Sequence, residues 1–353
     1  MKYNTTRQSG IELLRIVAIF GVIMIHFYEK AGHSMPWINN QILILCRTIS
    51  SASVVVFLII SGYFMCKSYN RYVGKTVDLI LQVSCFNELA YLIYVVIGIY
   101  PLQIRHIVSS AVPDCYYAIL FVALYLISPY INKLLNSLTH KERKIYLSFM
   151  AGLFSVYAIG VDLFGEISGK DWMGLSTIGA WGSQSGFTIV NFILCYCIGA
   201  YLRLNGIPKF LSKNNKYLYC VISVLLIFMW TQINQKLSIF GMQSSWQYHN
   251  PIVILYVVTL FVMFKDMTFS NKFVNRAAKV VYPLFLIHCT VIGKLPISEY
   301  CQKNIFEMLL YYFAFSISMY VMSWIVFSLY DFSFRKILER LNRVEIIYFE
   351  NKK

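Results

Sequence analysis

Arg15 and His26 stand in one apolar stretch, Ile11 to Phe27 (IELLRIVAIFGVIMIHF), eleven positions apart. A helix turns about 100° per residue, so eleven steps come to roughly 1100°, about 20° past three full turns. Both side chains would therefore share one stripe, about 16 Å apart along the axis. A guanidinium inside a hydrocarbon-length segment is costly to hold and points to function by default. Fixed in a cavity, it suits an anionic cofactor such as a phosphate-bearing thioester. An imidazole titrates near neutral pH and is the natural general base there. Glu12, three positions before Arg15, is its neighbour on the helix surface. Plainer readings stand beside these: a packing ion pair, an arginine snorkelling to the headgroups, a solvated interfacial histidine.

Other segments carry further candidates. FLIISGYF, Phe57 to Phe64, places Ser61 and Gly62 at the depth expected for Arg15. Glycine permits close approach of a ligand or a second helix, and serine can donate a hydrogen bond. Lys67, Arg71 and Lys75 follow, where they would meet either anionic headgroups or cofactor phosphates. YPLFLIH, Tyr282 to His288, sets a second histidine about midway across its span, where it needs a partner or a wet cavity. Glu88, beside Asn87, is either functional in the same sense or a protonated carboxyl bonded between helices. The nine cysteines form no disulfide framework; Cys85, Cys195, Cys197, Cys220 and Cys289 fall in apolar spans and read as small hydrophobes. Cys195 and Cys197 lack the spacing of a zinc pair with a second pair elsewhere, so no metal is expected.

The elements that must position these groups follow from composition. The 353 residues are 58% hydrophobic and only 13% charged, against about 25% charged in a soluble domain. Aromatics reach 17%, as suits a chain with much lipid–water interface. An all-α polytopic membrane protein is the reading, a single bundle of about ten transmembrane helices. The spans fall near 11–28, 48–66, 79–100, 115–135, 145–164, 186–203, 217–235, 250–264, 280–296 and 306–330. A net charge of +15 would suit nucleic acid, but the basic residues lie in short runs between apolar segments, which excludes it. Lys and Arg number 23 in one set of alternate connections and 7 in the other, with Arg15 left over inside a span. The positive-inside rule then places both termini in the cytoplasm. Glu12 and Arg15 interrupt the first span too early for a cleaved leader. The segment 165–185, with Trp172 and Trp181, either caps a substrate entrance or is an interfacial loop. Domain 1–333 is the membrane domain. The tail 334–353 has apolar residues at 334, 337, 338 and 341 and reads as a basic amphipathic helix on the anionic leaflet.

In order, IELLR, Arg15-x10-His26, FLIISGYF, Asp114 to Pro129 (DCYYAILFVALYLISP) and YPLFLIH resemble the bacterial membrane-bound acyltransferase family 3, O-acyltransferases of cell-surface glycans. The resemblance implies transfer of an acyl group, usually acetyl, from cytoplasmic acetyl-CoA to a hydroxyl of a surface polysaccharide or its lipid-linked precursor. It implies a bacterial cytoplasmic membrane, with membrane lipids and the glycan acceptor as partners; a homodimer is compatible with it. His26 matches the family's catalytic histidine and Arg15 its essential arginine. The acid is Glu12 where Asp is common, and Tyr116-Tyr117 stand where Trp-Phe is usual. Arg71 and Lys75 are the nearest equivalents of a basic pair after the second span. Donor contacts are thus expected from Ser61, Gly62, Arg71 and Lys75, with His288 conceivable as a relay. A transporter or polymerase of lipid-linked oligosaccharides would share the composition but has no need of this arrangement.

Overall fold

The computed structural model describes residues 8–32, 34–212, 214–237 and 242–347. Lys2, Arg7, Lys213, Lys352 and Lys353, all used in the charge count, lie outside them. Among the described residues the chain is almost wholly helical. It opens with α1 (Ser9–Lys30), α2 (Trp37–Ser50) and α3 (Ser53–Met65). The short strand β1 (Arg71–Tyr72) leads into α4 (Val73–Val96), α5 (Ile104–Ala111) and α6 (Tyr116–Ser137). There follow α7 (His140–Ala151), a π-helical stretch Gly152–Tyr157, α8 (Ala158–Ser168), α9 (Ile189–Leu204), α10 (Asn215–Lys236) and α11 (Pro251–Lys265). The last elements are α12 (Lys272–Ala277), α13 (Val281–Ile292), α14 (Ile297–Cys301), α15 (Ile305–Leu341) and β2 (Glu345–Ile347).

Among the described residues eight helical segments are long and apolar enough to cross a membrane, so the polytopic all-α architecture stands. The expected spans 186–203 and 280–296 are helical as α9 and α13, but these have 16 and 12 residues. Crossing a hydrocarbon core takes about 20 helical residues, so these two are short. Residues 334–341 continue α15 without a break.

Packing divides the chain into two compact units. The first comprises Met1–Val22, Leu43–Ser68 and Tyr130–Ala278. Its core is α3, apolar almost all round and buried at Val54, Val55, Val56, Leu58, Ile59 and Ile60, as such a helix must be. Against it lies α9 at backbone distance. A Cβ on Gly62 would stand 2.0 Å from the Tyr196 carbonyl oxygen, and one on Gly199 would stand 2.1 Å from that of Ile59. Small residues at such crossings are what lets helices approach this closely. Asn132 satisfies the carbonyls orphaned at the end of α3, donating to Met65 at 2.7 Å and Ser68 at 2.8 Å. Its own oxygen accepts from the Tyr196 hydroxyl at 2.7 Å.

The second unit comprises Ile23–Ile42, Tyr69–Pro129 and Lys279–Lys353. Within it β1 pairs antiparallel with β2, Arg71 opposite Ile347 and Tyr72 opposite Glu345. Pro129 sits inside α6 and has no N–H for the Tyr125 carbonyl four residues back. Arg71 Nε donates to that carbonyl at 2.8 Å, and so does the Ser128 hydroxyl, also at 2.8 Å. Asp78 ties α4 to α15 by accepting from the Tyr330 hydroxyl at 3.0 Å.

Candidate active site

His26 and Glu29 lie three residues apart near the end of α1 and so share a face. Nδ1 of His26 is 2.8 Å from Oε2 of Glu29. A ring nitrogen held by a carboxylate carries the hydrogen, which leaves Nε2 as the basic atom. The His26 ring stands 5.1 Å from that of His288, centre to centre. His288 is fully buried, and its Nδ1 is 3.2 Å from the Leu284 carbonyl one turn back. Cys289 follows on α13 and sets its sulfur 3.3 Å from His288 Nε2 and 3.9 Å from His26 Nε2. His26 is half-buried and Cys289 exposed, so the cluster is reachable from one side.

Two tyrosines fix α13 against α4. The Tyr282 hydroxyl donates to the Leu79 carbonyl at 2.8 Å, and that of Tyr94 to the Thr290 carbonyl at 2.6 Å. Tyr117, buried in the first turn of α6, packs its ring 4.9 Å from Phe285, which in turn lies 5.7 Å from His288. It therefore reaches the histidines through one aromatic layer. The helix α13 stops at Ile292, so His288 sits one turn from its end and meets His26 near the end of α1.

The other candidates are placed as follows. Arg15 Nη1 is 3.5 Å from both carboxylate oxygens of buried Glu12, a loose pair with the arginine a third exposed. Ser61 donates back to the Phe57 carbonyl at 2.7 Å within its own helix, and Gly62 is filled by the α9 backbone. Arg71 is 1% exposed, and its guanidinium also bonds Ser128 Oγ at 2.6 Å and the Asn70 carbonyl at 2.8 Å. It braces the proline position of α6, where the sequence suggested a phosphate contact. Lys75 is half exposed, 3.7 Å from Asp78. Glu88 accepts from the Ser110 hydroxyl. Arg71, Lys75 and Glu88, in the same unit as the histidines, bond instead to Tyr125 and Ser128, to Asp78 and to Ser110.

Sequence reasoning missed Glu29 and Cys289, although one stands three residues after His26 and the other directly after His288. It also missed a second cluster in the first unit. There the fully buried His249 sets Nε2 3.3 Å from Oδ2 of Asp162, which also accepts from the Ser183 hydroxyl. Asp162 lines a cavity of about 360 Å³ together with Glu166, Lys170 and Trp172.

Residues 8–328 match the family model of an acyltransferase domain, acyltransferase family 3. The chain belongs to that family. No curated protein and no solved structure matches it. The matched stretch holds every candidate above, from Glu12 to Cys289, and covers nearly the whole chain. Family membership with apolar spanning helices makes this a membrane acyltransferase, and the transporter or polymerase reading gives way to it.

Proposed function

We propose that this acyltransferase carries an acetyl group from acetyl-CoA to a hydroxyl of a surface polysaccharide or its lipid-linked precursor. The observation that carries the reading is the His26–Glu29 pair, with Nδ1 held at 2.8 Å and Nε2 left to accept a proton. The acceptor oxygen attacks the thioester carbonyl while its hydrogen passes to His26 Nε2. The C–S bond then breaks, and the imidazolium returns the proton to the departing thiolate. Glu29 holds the productive tautomer and stabilises the imidazolium, as a positioned carboxylate does for a general base. Arg15, on the same helix and a third exposed, supplies a cation for the cofactor's phosphates. Basic residues concentrated in alternate connections support both termini lying inside, and the family resemblance supports a bacterial cytoplasmic membrane.

The test is direct. Purified protein is incubated with acetyl-labelled CoA thioester and polysaccharide, and the glycan is assayed for base-labile label. Label in the glycan is the expected result. Absence of both transfer and acceptor-stimulated thioester cleavage would contradict the reading.

A further inference from the structure

The cluster of His26, His288 and Cys289 has a geometry that proton transfer alone does not require. Each histidine has its Nδ1 against an acceptor: the Glu29 carboxylate at 2.8 Å and the Leu284 carbonyl at 3.2 Å. That fixes hydrogen on both Nδ1 atoms and lone pairs on both Nε2 atoms. Both lone-pair nitrogens converge on the Cys289 sulfur, at 3.9 and 3.3 Å, and one ligand atom from each of the three residues lies within 4.8 Å of the others. Metal-bound histidines almost always show this pattern, one nitrogen on the metal and the other donating to a carboxylate or carbonyl.

Distances agree. With Zn–N about 2.0–2.1 Å and Zn–S about 2.3 Å, a tetrahedral ion sets its N and S ligands roughly 3.6 Å apart. The two N–S separations here, 3.3 and 3.9 Å, bracket that value. A thiolate and two neutral imidazoles form a donor set suited to zinc rather than to magnesium or calcium. Three protein ligands with one exposed side match a site that keeps its fourth position open.

We propose that His26 Nε2, His288 Nε2 and Cys289 Sγ bind one Zn²⁺ ion, with Glu29 and the Leu284 carbonyl orienting the two rings. Binding displaces the thiol proton of Cys289 to solvent. The ion occupies the lone pair that acyl transfer needs on His26, so the zinc-loaded protein is the inactive form. Only this last consequence rests on the function proposed above; binding itself does not.

The full-length protein in detergent is titrated with Co²⁺ alone as a spectroscopic substitute, followed by competition with Zn²⁺. The expected result is one ion per chain, with a sulfur-to-cobalt charge-transfer band that Zn²⁺ abolishes. Cys289→Ser should lose that band while remaining monodisperse. Glu29→Gln should keep it but weaken the affinity by roughly 10–100-fold, the usual effect of removing such an orienting partner. Failure of wild type to bind at millimolar Co²⁺, or persistence of the band in Cys289→Ser, would overturn the site. Acetyl transfer is measured in parallel: Zn²⁺ should suppress it and a chelator restore it. Transfer that proceeds fully in zinc-saturated protein overturns the inhibitory role. Absence of transfer in chelated protein counts against the proposed function and leaves the cobalt result untouched.

Discussion

At the level of single residues, the proposed chemistry depends on which nitrogen of His26 is free. Glu29 holds the other, so Glu29→Gln keeps the shape but removes the charge that stabilises the imidazolium. The expected outcome is a lower transfer rate with its pH optimum displaced, while the KM for acetyl-CoA changes little. A rate profile across pH 5 to 9 checks this, since a purely structural role would leave the profile in place. Much of this site was legible beforehand. Arg15, His26 and His288 announce themselves as ionisable groups in apolar spans, where side chains of that kind are expensive. Glu29 and Cys289 did not, for different reasons. A glutamate beside Lys30 at a helix end reads as interfacial, and a lone thiol in an apolar run reads as a hydrophobe until its neighbours are known.

At the scale of elements, two contacts carry predictions. The α3–α9 crossing has no space at Gly62, where a Cβ would meet the Tyr196 carbonyl oxygen at 2.0 Å. Gly62→Ala should destabilise by about 1–3 kcal/mol, as overpacking does, seen as a lower unfolding midpoint in detergent. Arg71 satisfies the Tyr125 carbonyl that Pro129 leaves without its helical donor. Arg71→Ala should cost about 1–3 kcal/mol, because the charged guanidinium's bonds to the Tyr125 carbonyl and Ser128 are lost and only the Ser128 hydroxyl still meets that carbonyl. Arg71→Lys should recover only part of it, because an ammonium lacks the guanidinium fork. If Arg71→Ala instead unfolds at the wild-type temperature, the bracing role is wrong. The spans themselves were readable from hydropathy, because long apolar runs have one stable conformation in lipid. The functions of Gly62 and Arg71 were not, since each depends on a segment distant in sequence: Tyr196 for one, Tyr125 to Pro129 for the other.

At the scale of the whole molecule, stability should depend on pH through the Lys216–Asp266 pair, which joins the start of α10 to the end of α11. Partial burial works to raise the Asp266 pKa, but the hydrogen bond and charge of Lys216, with Lys265, hold it below its ordinary value. A carboxylate with a depressed folded-state pKa stabilises above its unfolded value and loses that contribution as pH falls through the folded one. The unfolding temperature should therefore drop on acidification below about pH 4, near the unfolded carboxylate pKa, and Asp266→Asn should flatten that dependence. Family membership extends over residues 8–328.

In the proposed mechanism the His26 imidazole takes the acceptor's proton. Its most direct test is the rate of acetyl transfer by purified His26→Ala, measured in chelated buffer beside wild type, with helical content matched by circular dichroism. A fall of about 10²–10⁴-fold is expected, the contribution typical of a positioned base. Transfer at the wild-type rate by a folded His26→Ala protein would contradict it.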